Sequence, residues 1–86
     1  MTRRTYNPRL AEYVGQRIKA ARVAAGYSQR WLADEVGVGD CNVSRWETGV
    51  HSPSLESLAL VALALGIEPA ELLPPGSALR RLLYAG

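Results

Sequence analysis

Cysteine occurs once in this 86-residue chain, at Cys41, and histidine once, at His51. A single thiol excludes an internal disulfide framework. With one imidazole added, it still falls short of a cysteine- or histidine-based zinc site. The expectation is a chain without metal or cofactor, in a reducing compartment. No apolar run reaches the roughly 18 residues of a membrane span, and no apolar signal core follows the basic start Met1-Thr2-Arg3-Arg4. A cytoplasmic protein with no membrane partner is the simplest expectation. Repeats, low-complexity tracts and alternating strand-like runs are also missing.

Catalytic groupings are equally scarce. Spacing places no nucleophile or carboxylate beside His51, and Ser44 and Glu47 face different sides of one predicted helix. Gly37-Val38-Gly39 makes a turn rather than a phosphate-cradling loop. An enzyme is not expected.

What is present is 48% hydrophobic and 21% charged, enough for one packed domain and too apolar for a disordered tail. A chain this short hides only about 60–65% of its unfolded surface on folding, so its core is thin and exposed apolar residues matter. The net charge of +2 conceals an asymmetry. Residues 1–30 carry seven positive groups against Glu12, for +6, residues 31–75 carry Arg45 against seven acids, for −6, and Arg80 and Arg81 add +2. Such a split can present a basic face to a polyanion or be ordinary solvated charge.

Between its Gly and Pro punctuation the apolar spacing is helical. A first helix is predicted over Pro8 to Ala25, capped by Asn7 and ended by Gly26, with Leu10, Val14, Ile18, Ala21 and Ala25 on its inner face. A second runs from after Ser28 to Gly37, a third from Asp40 to Thr48, a fourth from about Ser54 to Leu65 and a short fifth from Pro69 to Leu73. Residues 77–84 supply a further turn or two.

The link between helices two and three is about three residues, Gly37-Val38-Gly39, which forces short helices to cross sharply. That is helix-turn-helix geometry. With Val43 and Trp46 inside, 100° per residue turns Cys41, Ser44, Arg45 and Thr48 outward and leaves Asp40 and Asn42 on the flanks. Short polar side chains with one reaching donor suit a helix entering a major groove. Glu47 projects inward, where Arg22, at the edge of helix one's apolar face, can pair with it.

The sequence resembles the phage-repressor and Cro-like helix-turn-helix domains, the xenobiotic-response-element family. The residues that carry the resemblance are Gly15-Gln16-Arg17-Ile18-Lys19, Arg22, Gly26-Tyr27-Ser28-Gln29, Leu32-Ala33, Gly37-Val38, the run Val43 to Gly49, Pro53 to Leu58 and Ala64 to Pro69. The resemblance implies a compact all-α, lambda-repressor-like domain of five helices that binds operator DNA as a two-fold dimer. It places base reading on Asp40, Cys41 and Arg45, with Asn42 and Ser44 beside them. Phosphate contacts fall to Gln29, to Thr48 and to the Val50-His51-Ser52 loop, and Arg30 joins them at the start of helix two. It also implies the Arg22–Glu47 pair as an internal salt bridge. Asp40 and Cys41 are unusual base readers; Asp40 can accept from cytosine N4 or simply suit the helix dipole.

Residues 1–7 are expected to form a basic arm, with Arg3 and Arg4 on the DNA backbone, and 8–74 the DNA-binding domain. Residues 75–86 form a C-terminal segment. On helix four, Leu55, Leu58, Ala59, Ala62 and Leu65 are assigned to the core, leaving Leu60 and Leu63 outward. Leu79, Leu82 and Leu83 either fold back over those leucines or join them in a homodimer interface. The alternative function is a protein-interaction module, such as an antitoxin, that uses the Leu60/Leu63 surface to hold a toxin or other partner.

Overall fold

Three helices start at a polar side chain that takes up an otherwise unpaired backbone amide. Asn7 Oδ1 accepts from the Leu10 amide at 2.9 Å and opens α1, Pro8–Ala25. Ser28 Oγ accepts from the Trp31 amide at 3.0 Å and opens α2, Gln29–Val36. Ser54 Oγ does the same for Ser57 at 3.0 Å and opens α4, Leu55–Leu65. Between α2 and α4 lies α3, Asp40–Thr48, whose N-cap is Gly39. A 3-10 turn, Pro69–Leu72, and a last helix α5, Gly76–Tyr84, complete the order. This computed structural model describes residues 7–84; Arg3, Arg4 and the rest of the basic arm before Asn7 lie outside the described residues.

No strand occurs among the described residues, and the architecture is all-α. Gly37 takes φ +86° at the corner between α2 and α3, a conformation other residues adopt only under strain. Helix α1 is the hub. It packs against α3, α4, the 3-10 turn and α5, while α2 packs against α3 and α4. The core joins Val14 and Ile18 of α1, Leu32, Ala33 and Val36 of α2, Val43 and Trp46 of α3, Leu58, Val61 and Ala62 of α4, and Leu72.

The α1–α3 crossing leaves no room at Gly15, where a Cβ would run into the Trp46 carbonyl oxygen and stand 3.1 Å from the Glu47 carbonyl carbon. This close approach shifts the inner face of α1 toward Ala11, Val14, Gly15 and Ile18, and Ala25 is exposed instead of buried.

Helix α4 also differs from its helical-wheel reading. Its core face is centred on Leu58, Val61 and Ala62; Leu55 is 83% exposed and Ala59 is exposed. The wheel counted an arc around Leu58 and Ala62 that was displaced toward the wrong flank. The region after Glu68 is one 3-10 turn ending at Leu72, closed by the Glu68 amide donating to Glu71 Oε2 at 2.9 Å. Helix α5 lies against α1, where Asn7 Nδ2 donates to the Leu82 carbonyl at 3.4 Å. Leu79 and Leu82 are half-buried on α5. Leu83 stays exposed, and Leu60 and Leu63 are not covered by the C-terminal segment.

Candidate nucleic-acid interface

Glu47, at the inner side of α3, is a carboxylate only 6% exposed. Burial of that kind is tolerable only when the charge is paired and hydrogen-bonded. Arg22 supplies both: Nε donates to Oε2 at 2.7 Å and Nη2 to Oε1 at 3.0 Å, a bidentate fork. The remaining guanidinium nitrogen, Nη1, donates to the Tyr27 carbonyl at 2.7 Å, which fixes the α1–α2 corner. Gln29 Nε2 adds a third donor to the carboxylate, at 3.0 Å to Oε1. The hydrogen bond from Arg22 to Glu47, and their attraction, hold the guanidinium's pKa above its ordinary value against a smaller opposing effect of burial. On the arginine's side this stabilisation is lost only as strong alkali removes the guanidinium proton.

Glu47 therefore sits where three helices meet. Arg22 comes from α1, Gln29 from the first residue of α2, and the carboxylate from α3. Locking them fixes how the N-terminus of α2 stands relative to the outer face of α3. Between those two features lies an open groove lined by Arg22, Ser28, Gln29, Arg30, Asp40, Cys41, Ser44 and Arg45. Arg30, Asp40, Cys41 and Arg45 are exposed and Ser44 is half-exposed. Arg45 Nη1 lies 3.9 Å from Cys41 Sγ, so the guanidinium is laid back along the helix toward the groove.

Asn42, Thr48, His51 and Ser52 do not line this groove. Asn42 is half-buried on the flank of α3. Thr48 Oγ1 donates back to the Ser44 carbonyl at 3.0 Å, so it faces outward with its hydrogen already engaged. His51 and Ser52 are exposed in the loop after α3, and the His51 amide donates to the Arg45 carbonyl at 3.3 Å. Gln29 has one amide hydrogen committed to Glu47, leaving the second for another acceptor.

The resemblance implies that Gln29 supports the recognition helix, but the sequence names the partners of neither of two contacts here. One is the Gln29–Glu47 bond. The other is the stack of Tyr27 on Trp31, with ring centroids 3.6 Å apart and planes 9° from parallel. The four-residue spacing of the two rings was the available signal for the stack.

A helix-turn-helix family profile matches residues 18–72, which span α1 from Ile18 through the 3-10 turn. The chain belongs to that helix-turn-helix family. The match takes in both helices of the crossing and every residue that lines the groove. An uncharacterised HTH-type transcriptional regulator, y4dL of Sinorhizobium fredii, is 38% identical over 76 residues, covering 84% of this chain and 37% of that protein. The chain thus spans well under half the length of that curated relative.

Among solved structures, the restriction-modification controller protein C.AhdI of Aeromonas hydrophila is 38% identical with a TM-score of 0.71, covering 73% of this chain and 96% of that one. The P22 c2 repressor, solved in complex with a synthetic operator, is 35% identical with a TM-score of 0.66, covering 70% and 91%. In this helix-turn-helix chain, no helix among the described residues is long and apolar enough to cross a membrane.

Proposed function

We propose that this chain is a sequence-specific double-stranded DNA-binding regulator of transcription, acting as a repressor without enzymatic activity. It reads a pseudo-palindromic operator as a homodimer, with α3 in the major groove. The observation that carries this reading is the groove between the start of α2 and the outer face of α3, with its exposed Arg45 and short neighbours Cys41 and Ser44. Short side chains let the helix backbone approach the base edges, and one arginine can make a bidentate contact to guanine. Asp40, Cys41, Asn42, Ser44 and Arg45 take the base-reading roles. Arg30, the second amide hydrogen of Gln29, and the exposed His51 and Ser52 take phosphates, and Thr48 lines the backbone beside them. The P22 c2 repressor, a structural neighbour, was solved with a synthetic operator, which supports the reading. Two copies would set their recognition helices about 34 Å apart.

The test is a fluorescence titration of the protein against random duplexes and duplexes selected from a random pool, repeated across salt. A specific regulator shows a falling affinity with salt and a preference for the selected site of at least ~10³. A chain showing neither is not a DNA-binding regulator, and the partner-protein reading would replace this one.

A further inference from the structure

Tyr27 stands in the link between α1 and α2 and is held at three points. Its amide donates to the Arg22 carbonyl at 3.1 Å, its carbonyl accepts from Arg22 Nη1 at 2.7 Å, and its ring lies on Trp31 with centroids 3.6 Å apart. Trp31 is the anchored half of the stack, half-buried and packed against the core, whereas Tyr27 is 39% exposed. The tyrosine ring therefore adds little to the core. What the two rings enclose is Ser28, Gln29 and Arg30, and all three line the groove, while neither ring does.

Gln29 and Arg30 are the first two residues of α2. Amides there have no partner within their own helix, so a first turn is the part of a helix most prone to fray. Two clamps close this one. Ser28 Oγ accepts from the Trp31 amide at 3.0 Å, and the rings, four residues apart, stack across the same turn. The Arg22 guanidinium that holds the Tyr27 carbonyl also forks onto Glu47, so the clamped turn is registered against α3.

We propose that the Tyr27–Trp31 stack is a positioning device for DNA binding, holding Gln29 and Arg30 in the free protein where they meet phosphates. This rests on the DNA-binding reading above. Ordering these residues beforehand removes an entropy cost from association. Phosphates carry no sequence, so the stack strengthens binding to every duplex by one factor and leaves base preference to α3.

The experiment titrates random and selected duplexes with the full chain and its ring variants, at a temperature where each is folded. Tyr27→Ala and Trp31→Ala should each weaken both duplex classes by the same factor, about three- to tenfold. The double variant should lose no more than the weaker-binding single variant, because the same stack is lost in each. Tyr27→Phe and Trp31→Phe keep a stacked pair and should bind like the parent. A phenylalanine variant that falls as far as its alanine counterpart would make the hydroxyl or the indole N–H a direct contact and overturn the positioning role. Losses that multiply in the double variant, a loss confined to the selected duplex, or unchanged affinity in Tyr27→Ala would overturn it too. Backbone order parameters give a readout without DNA. In Tyr27→Ala those of Gln29 and Arg30 should fall from the rigid level of about 0.85 toward about 0.6, while those from Asp40 to Arg45 hold. If the parent binds no duplex, the DNA-binding reading fails by itself. The order parameters then decide whether the stack holds the turn, and unchanged values in Tyr27→Ala would show that it does not.

Discussion

The side-chain amide of Gln29 donates to Glu47 Oε1 at 3.0 Å, across 18 residues of sequence, and so ties the first residue of α2 to the last turn of α3. With the Arg22 fork on the same carboxylate, Glu47 is held from three directions. The residue proposed to touch a phosphate and the helix proposed to read bases are thus parts of one rigid unit. A shift in either would be felt by the other.

Removing Glu47 leaves the Arg22 guanidinium without its fork in a site where its side chain is only 11% exposed. Breaking one side of a buried pair costs about 3–5 kcal/mol, a large fraction of the stability of so small a domain. Glu47→Ala should therefore lower the thermal midpoint sharply and lose DNA binding along with the fold. Replacing both partners, as in Arg22→Met/Glu47→Leu, should recover much of that stability, because no charge is then stranded. A Glu47→Ala protein that melts with the parent would end this account.

Gly15 has no such polar role, yet it is equally constrained. Alanine in the middle of a helix gains about 1 kcal/mol over glycine, so Gly15→Ala would be stabilising on an isolated helix. Here the added carbon meets the backbone of Trp46 and Glu47, which has no rotamer with which to yield. Overpacking of this kind costs about 1–3 kcal/mol or more, and the net effect should be a lower urea midpoint. An unchanged or higher midpoint would mean that α1 and α3 can separate freely.

The helix ends are legible in the sequence because each depends on local chemistry: Asn7, Ser28 and Ser54 cap within three residues of themselves. The α2–α3 crossing is legible for the same reason, since a three-residue link permits little else. The Gln29–Glu47 bond is not, because it depends on rotamers of residues brought together only by the fold. The docking of α5 is not legible either. Leu79 and Leu82 announce an apolar face, but nothing in their spacing says that α1, rather than α4 or a second copy, will cover it. Leu55 was misplaced because a wheel gives the width of an apolar arc and not the direction from which neighbours approach.

Arg45 is exposed, and neither the Glu47 cluster nor the core uses its guanidinium. Arg45→Ala should leave the melting curve within about 0.5 kcal/mol of the parent. On selected duplexes it should cost about 1–3 kcal/mol and relax the preference at one base position. A uniform loss across all sequences, with a salt slope smaller by about one, would instead make Arg45 a phosphate contact.

Asp40 opens α3 and shares the groove with Arg30 and Arg45. At the first helical position its carboxylate favours the helix by about 0.3–1 kcal/mol, but facing phosphates it opposes binding. Asp40→Asn separates these effects because the shape is kept and the charge is lost. Stability should fall slightly, while affinity should rise for random and selected duplexes together, most at low salt where charges are least screened. The measurement is a pair of salt titrations on the two duplex classes. If the selected duplex alone weakens, Asp40 is reading a base, the natural partner being a cytosine amino group, and its charge is then part of the specificity and not a cost to it.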